Sequence, residues 1–187
     1  DLMGELVVLQ FYFISGFVLS LAYRFAAAPR EPEAEALMDV TSFYVKRLAR
    51  IMPLYYFTNI IGEAVAATDP FWSMSGDRKL LFMPLHRFPR HELILVGLGS
   101  LLPNNMPPNA PSWTISVFLV CYLVYPPVAM SMPPVAPSRA HLGARACLAL
   151  YALAVPLVST SAAGFGAAYN WAPTQLPLFF AGAFGAI

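Results

Sequence analysis

Long apolar stretches alternate with polar, proline-containing connections along this chain. The first stretch runs over Leu6–Tyr23, and its clearly polar side chains are Gln10, Ser15 and Ser20. A helix that crosses a bilayer needs ~20 consecutive residues that are mostly apolar. The length and composition of this stretch therefore predict a membrane-spanning helix.

Further apolar stretches predict more helices of the same kind. They cover residues 48–67 (in a helix starting near Phe43), 112–130, 144–161 and 173–187. The stretch 93–102 is short for a crossing, and its pattern leaves open whether it spans the membrane or re-enters it. Residues 103–111 contain four prolines and exclude a regular helix, and residues 133–139 are predicted to be a loop. We predict an all-α, multi-pass transmembrane helix bundle with about five to six spans.

The composition supports this fold class. The 187 residues are 58% hydrophobic and 11% charged, whereas a soluble domain carries about 25% charged residues. We therefore expect an integral membrane protein with membrane lipids as its surroundings. A net charge of +1 without a basic tail gives no attraction to nucleic acid, so no nucleic-acid partner is expected. Both chain ends interrupt apolar stretches, which predicts that residues 1–187 are part of a membrane domain truncated at both ends.

The two cysteines do not suggest a metal or disulfide site. Cys121 and Cys147 both lie in apolar stretches, and neither has a Cys or His neighbour at metal-ligand spacing. Cysteines inside apolar helices usually act as small core residues. We expect no metal cofactor.

Three cations begin the second helix. Lys46 and Arg50 are one turn apart on one helical face, and Arg47 is adjacent. Such a cluster can bind a phosphate, because arginine offers forked donors and lysine a mobile charge. The alternative is topological, because cytoplasmic connections of membrane proteins are enriched in basic residues. The same rule predicts that the 24–50 connection is cytoplasmic, and spacing alone favours the topological interpretation.

Taken one at a time, the other polar residues do not indicate a specific activity. Ser15 and Gly16 are small residues that let helices approach closely. Trp113 and Ser116 fit capping and interface anchoring about as well as a ligand pocket. His86 and His91 lie in a basic connection beside Glu92, where a solvated loop is the better interpretation. No nucleophile elbow, phosphate loop or dinucleotide fingerprint occurs in the chain.

Four segments taken in order resemble the acyltransferase-3 family of membrane acyltransferases. They are FISGFVLS at 13–20, FYVKRLARIMPLYY at 43–56, PSWTISV at 111–117 with YLVYP at 122–126, and LPLFFAG at 176–182. The resemblance covers nearly the whole chain, and the first two segments are its specific part. It implies a membrane-bound O-acyltransferase that moves an acyl group, usually acetyl, from cytoplasmic acyl-CoA to a hydroxyl acceptor, often a carbohydrate or glycolipid.

The resemblance also implies roles for the singled-out residues. It favours Lys46, Arg47 and Arg50 as contacts for the phosphates of coenzyme A. Spacing alone had favoured the topological interpretation of these residues, and the resemblance reverses that order. Ser15 and Gly16 are expected near the acyl path, and Trp113 and Ser116 are expected to line or brace the same cavity. Acyl-CoA, as acetyl-CoA, is the implied co-substrate.

Two departures from the family pattern affect catalysis. The family's helix with a spaced Arg and His would precede Asp1, and Phe118 stands where a Glu usually follows the tryptophan-serine segment. Acyl transfer to a hydroxyl needs a base that takes its proton. We therefore expect no catalytic base within residues 1–187 and no turnover by this segment alone. The alternative is an inactive family member that acts as a membrane transporter or scaffold.

Overall fold

The computed structural model describes most of the chain. The described residues are 2–23, 40–68, 90–103, 105, 107, 109–132, 135–161 and 164–187. Most of the 24–50 connection, together with His86 and the side chain of His91, lies outside the residues and side chains described. Within the described ranges all regular structure is helical and no strand occurs, which confirms the all-α fold class.

Seven α-helices and two short 3-10 turns make up this part of the fold. The helices are α1 (Leu2–Tyr23), α2 (Val40–Thr68), α3 (Arg90–Leu95), α4 (Trp113–Ser131), α5 (Pro137–Ser159), α6 (Gly164–Asn170) and α7 (Ala172–Gly185), and the 3-10 turns cover Gly99–Leu101 and Ala110–Ser112. The bounds of α1, α4 and α7 agree with the apolar stretches that predicted them. The short helix α6 was not predicted from the pattern.

Helix α5 begins earlier than the sequence pattern predicted. Its first residue is Pro137, within the stretch expected to be a loop. Proline is tolerated in the first helical turn, because the N–H group that it lacks would have no partner inside the helix there. Pro137 therefore starts a helix, and Arg139 lies on that helix instead of in a loop.

The stretch 93–102 does not form a membrane-length helix. Helix α3 has 6 residues and ends at Leu95. A turn follows, in which Gly97 has a φ of +76°, and then the first 3-10 turn begins at Gly99. Six helical residues rise only ~9 Å, whereas the hydrocarbon core is ~30 Å thick. The described residues thus favour a non-crossing segment for this part of the chain.

Among the described residues, two helices are long and apolar enough to cross a bilayer, as judged by length and composition. They are α4 and α5, and the apolar part of α1, Val7–Tyr23, is shorter. Helix α5 exposes a series of leucines, which include Leu142, Leu153 and Leu157. Apolar residues on the outside of a helix are what contact with lipid requires. The number of spans, five to six, stays a prediction.

Helix α4 connects α2 with the packed helices α1, α5 and α7. Helix α1 packs along α7, α7 packs against α5, and α4 contacts both α2 and α7. The core is formed largely by aromatic side chains, among which Tyr12, Phe43, Tyr125 and Phe179 are almost completely buried. One side of α4 therefore belongs to this core, while its contact with α2 is where the candidate site lies.

Candidate functional site

An apolar cleft of about 220 Å³ lies between α2, α4 and the turn that follows α3. Its lining consists of Tyr44, Arg47, Leu48, Val96, Leu98, Leu119, Tyr122 and Leu123. Five of these side chains are aliphatic, and two are tyrosines. Among the described lining residues Arg47 is the charged one, so this part of the cleft combines aliphatic walls with a cation.

The two helices deliver their lining residues with the same spacing. Residues 44, 47 and 48 of α2 and residues 119, 122 and 123 of α4 each follow an i, i+3, i+4 pattern. Such positions share one face of a helix. The facing stripes are fixed by the Tyr44 hydroxyl, which donates a hydrogen bond of 2.9 Å to the Leu123 carbonyl oxygen. The cleft is thus built into the α2–α4 contact.

The third wall comes from the segment after α3. The Tyr55 hydroxyl donates to the Ile94 carbonyl oxygen at 2.8 Å, and the Tyr56 hydroxyl donates to the Leu95 carbonyl oxygen at 2.8 Å. These bonds attach the end of α3 to α2, and the Gly97 turn then brings Val96 and Leu98 to the cleft. Adjacent tyrosines of α2 therefore position a wall that belongs to another element.

Arg47 lies over two aromatic rings. Its Cζ atom is 5.8 Å from the ring centroid of Phe43 and 5.7 Å from that of Tyr122. A guanidinium within about 6 Å of a ring face is attracted by the negative face of the ring. Arg47 is half-buried, and within the described residues no carboxylate pairs with it. The rings hold the guanidinium in place, and no carboxylate of the described residues neutralises it, which is compatible with an anion at the cleft.

Lys46 and Arg50 are placed differently from Arg47. Both are exposed, and neither lines the cleft. All three cations nevertheless lie within about one turn of α2, since Arg50 follows Arg47 by three residues. The structure therefore brings one of the three predicted phosphate contacts to the cleft and leaves the other two on the adjacent surface.

Ser15 and Gly16 of α1 have distinct surroundings. The Ser15 Oγ atom is 3.3 Å from the Tyr122 hydroxyl oxygen, and either atom can donate the hydrogen bond. Ser15 thus contacts the hydroxyl of a cleft-lining tyrosine, although it does not itself line the cleft. Gly16 is buried, and a Cβ atom there would collide with the carbonyl group of Phe179 in α7. Gly16 is a close-packing position between helices.

Trp113 and Ser116 lie on α4 outside the cleft lining. The Trp113 ring is 4.7 Å from the Tyr169 ring in an edge-to-face arrangement, and its side chain is 8% exposed. Ser116 is 1% exposed, and its hydroxyl lies close to that of Tyr55. Their contribution to a substrate cavity stays a prediction.

Several site residues were not singled out from the sequence. Tyr44, Leu119 and Tyr122 line the cleft, and Phe43 supports Arg47. The signal was present as the matching i, i+3, i+4 spacing in two helices, but only the structure reveals that these faces meet. Phe118 packs its ring 4.8 Å from that of Tyr12 and 6.0 Å from that of Tyr122.

The cysteines are both free in the structure. Cys121 is buried in α4, and Cys147 is partly buried in α5. Among the described residues, no group of three His, Cys, Asp or Glu side chains is placed to hold a metal ion. The features that define the candidate site are therefore the aliphatic walls, the two tyrosines and Arg47.

In the described residues all regular structure is helical, and two helices have the length and composition needed to cross a bilayer. An apolar cleft between α2 and α4 is lined by Arg47. These features are compatible with a helical protein of membrane type that has an anion-compatible site. A family model described as an acyltransferase domain matches residues 2–187. The chain therefore belongs to the acyltransferase-3 family, which is membrane-associated and has acyl transfer as its general activity. The comparisons with curated proteins and with solved structures gave no match.

Proposed function

We propose that the protein transfers an acyl group from cytoplasmic acyl-CoA to a hydroxyl acceptor of the carbohydrate or glycolipid class. The observation that carries this proposal is the position of Arg47, whose half-buried guanidinium lines an otherwise uncharged cleft in a member of an acyltransferase family. Together with a multi-pass bundle and a cytoplasmic 24–50 connection, this arrangement would let a donor enter from the cytoplasm.

The chemistry of acyl-CoA fits both parts of the site. Its pyrophosphate and ribose phosphate are anions, and its acyl and pantetheine arms carry long apolar portions. Arginine binds phosphate through two parallel N–H donors, and lysine adds a point charge. In the proposed complex Arg47 contacts a phosphate at the cleft, and the exposed Lys46 and Arg50 contact phosphates on the adjacent surface.

The proposed reaction is a simple exchange at the thioester carbonyl. The acceptor oxygen attacks the carbonyl carbon, the C–S bond breaks, and the acceptor proton passes to a base while coenzyme A leaves as its thiol. A positioned base contributes ~10²–10⁴-fold to such a step. Among the described residues that line the cleft there is neither a carboxylate nor a histidine. The role of these residues is therefore donor binding, and we assign no catalytic base among them.

The alternative class is a family member that retains the bundle but works as a transporter or scaffold. The packing of Phe118 between the rings of Tyr12 and Tyr122 favours it, since an aromatic side chain fills a position where the family usually has a glutamate. The two classes differ in one measurable product. Only the enzyme releases free coenzyme A thiol from acyl-CoA when hydroxyl acceptors are present.

The test is the affinity of the full-length membrane protein for coenzyme A. A hydrogen bond to a charged group contributes ~1.5–3 kcal/mol, so Arg47→Ala should weaken binding by about tenfold to a hundredfold. Arg47→Lys should restore part of the loss, because the charge remains while the planar fork is gone. Arg139→Ala, at an exposed position on α5, is the matched control and should bind normally.

The outcome that contradicts donor binding is unchanged affinity of correctly inserted Arg47→Ala protein. If Arg47→Ala instead lowers the amount of inserted protein and Arg47→Lys is silent, the cluster is a topology anchor. Normal coenzyme A binding without thiol release from any acyl-CoA would assign the protein to the transporter or scaffold class.

A further inference from the structure

We propose that the outward face of α5 binds an anionic phospholipid. In the proposed complex Arg145, with its neighbours Arg139 and His141, holds the headgroup phosphate, and the acyl chains lie along the exposed leucines that follow. This interaction surface is separate from the cleft between α2 and α4, and the proposal does not depend on the proposed function.

The outward face of α5 is an apolar surface. The helix packs on α6 and α7, and the fully buried Ala140 belongs to the side that faces the bundle. On the other side Leu142, Leu153 and Leu157 are 66%, 64% and 71% exposed. In a membrane protein such a row of leucines contacts the acyl chains of lipids. Lipid is therefore the surrounding in which the charges of this helix have to be considered.

Arg145 lies within this apolar face. Residues 142, 145, 149 and 153 follow an i, i+3, i+7, i+11 pattern, so Arg145 shares a face with Leu142 and Leu153. Arg145 is exposed, and the leucines three residues before and after it, Leu142 and Leu148, are exposed too. Each lies about 4.5 Å from it along the helix axis. A cation at this level is costly unless it reaches the interface and finds an anion there.

The protein supplies no such anion among the described residues. Helix α5 contains no Asp or Glu over its 23 residues, and no carboxylate from the rest of the described chain pairs with Arg145. Helical side chains lean toward the N-terminus of their helix, which directs Arg145 toward His141, one turn earlier. Arg139 and His141 are also exposed. Three basic residues thus lie within about 9 Å of helix rise without a neutralising partner.

The order of charge and apolar surface matches a phospholipid of the same leaflet. From Leu148 to Leu157 the helix rises about 13.5 Å, which is close to half of the ~30 Å hydrocarbon core. A lipid with its phosphate at Arg145 can therefore lay its chains along these leucines. Arginine binds phosphate through two parallel N–H donors. An anionic headgroup fits better than phosphatidylcholine, because the choline cation would be repelled by the three basic residues.

The experiment measures quenching of a tryptophan by lipids with brominated acyl chains, on the full-length protein in vesicles. Ala149→Trp places the reporter on the exposed face, about 6 Å past Arg145. Ile60→Trp is the matched reporter on α2, at a position that is 53% exposed and ten residues beyond Arg50. Protein without an added tryptophan gives the background. Mixtures of brominated phosphatidylglycerol with phosphatidylcholine, and the reverse, give the relative affinity of the two lipids at each reporter.

Phosphatidylglycerol should be favoured by about fivefold or more at position 149, and by less than about twofold at position 60. In the protein with the Ala149→Trp reporter, Arg145→Ala should lower the preference by about fivefold. Arg145→Lys should keep part of it, because the charge remains while the planar fork is lost. Lys46→Ala is the charge control, since it removes an exposed cation from α2, and it should leave the preference at position 149 unchanged.

Three outcomes overturn the proposal. Equal affinities of the two lipids at position 149 would show that the face does not select an anionic headgroup. Absence of quenching by either lipid would show that protein covers the face. Equal losses from Arg145→Ala and Lys46→Ala would reflect the overall surface charge. Coenzyme A binding should be the same in Arg145→Ala and wild type, so failure of this proposal leaves the proposed function in place.

Discussion

Gly16 of α1 and Gly182 of α7 form a reciprocal helix contact. A Cβ atom on Gly16 would collide with the carbonyl group of Phe179, and a Cβ atom on Gly182 would collide with the carbonyl group of Phe13. The two backbones touch because neither glycine has a side chain, as is common where membrane helices pack through small residues. This contact fixes α1, and α1 carries the Ser15 hydroxyl that meets Tyr122 at the cleft.

We expect Gly16→Ala to destabilise the protein. The added methyl has to displace backbone atoms of α7, and overpacking of this kind costs ~1–3 kcal/mol. For a chain of this size, ~1 kcal/mol corresponds to about 2–4 °C in the melting temperature. Thermal unfolding in detergent would measure the loss. Gly185→Ala is the matched control on α7, because its Cβ atom would lie at an ordinary 3.7 Å from the Phe13 ring.

The control Gly185→Ala should raise the melting temperature or leave it unchanged, since alanine is a better helix former than glycine. The double variant Gly16→Ala with Gly182→Ala should cost less than the two single changes added together, because the first methyl already separates the helices. Strict additivity would show that the two glycines do not share one contact.

Gly97 and Gly164 allow steric and conformational effects to be separated. Both have positive φ values, +76° and +75°, that alanine adopts only with strain. A Cβ atom on Gly97 would also lie 2.6 Å from Leu119 Cδ1, whereas nothing lies within 4 Å of a Cβ atom on Gly164. The Leu119 methyl would have to move, so Gly97→Ala should destabilise by ~1 kcal/mol more than Gly164→Ala. Equal melting temperatures would contradict the close approach of Gly97 to Leu119.

The topology can be tested at position 31, which lies outside the described residues. In a Cys121→Ala, Cys147→Ala background, Glu31→Cys should react in intact cells with a membrane-permeant maleimide and resist an impermeant one. The reason is the positive-inside rule applied to the basic 24–50 connection. After cell lysis both reagents should react. Labelling by the impermeant reagent in intact cells would reverse the orientation and remove the cytoplasmic route to acyl-CoA.

Much of the fold follows from hydrophobic periodicity and helix-terminating residues. The bounds of α4 were predicted within two residues, because a long apolar stretch begins directly after Pro111. The start of α5 was not predicted, since Pro137 fits a loop and a first helical turn equally well. The residues 93–102 were ambiguous because a short apolar run carries no signal for where it turns.

The site was only partly predictable. The cluster of Lys46, Arg47 and Arg50 stood out because cations are rare beside membrane-length apolar stretches. Periodicity does not say which face of α2 meets α4, so the sequence could not separate the half-buried Arg47 from its exposed neighbours. The aromatic partners of Arg47 were not predicted either. Phe43 precedes it by four residues on α2, and Tyr122 belongs to α4.

Tyr122 is expected to hold Arg47 through its ring more than through its hydroxyl. The ring lies 5.7 Å from the guanidinium, and the hydroxyl makes only a long contact of 3.3 Å with Ser15. A cation–π contact contributes ~0.5–2 kcal/mol, so Tyr122→Leu should weaken coenzyme A binding by about twofold to thirtyfold.

Tyr122→Phe and Ser15→Ala should each weaken coenzyme A binding by less than about threefold, because both keep the ring beneath Arg47. Phe57→Leu is the control for ring removal, since this phenylalanine lies on the same helix as Arg47 but is 61% exposed and does not line the cleft. Melting temperatures measured on the same samples separate a loss of ring support from a loss of fold. If Tyr122→Phe weakens binding as much as Tyr122→Leu, the hydroxyl shared with Ser15 positions the site, and the cation–π explanation is wrong.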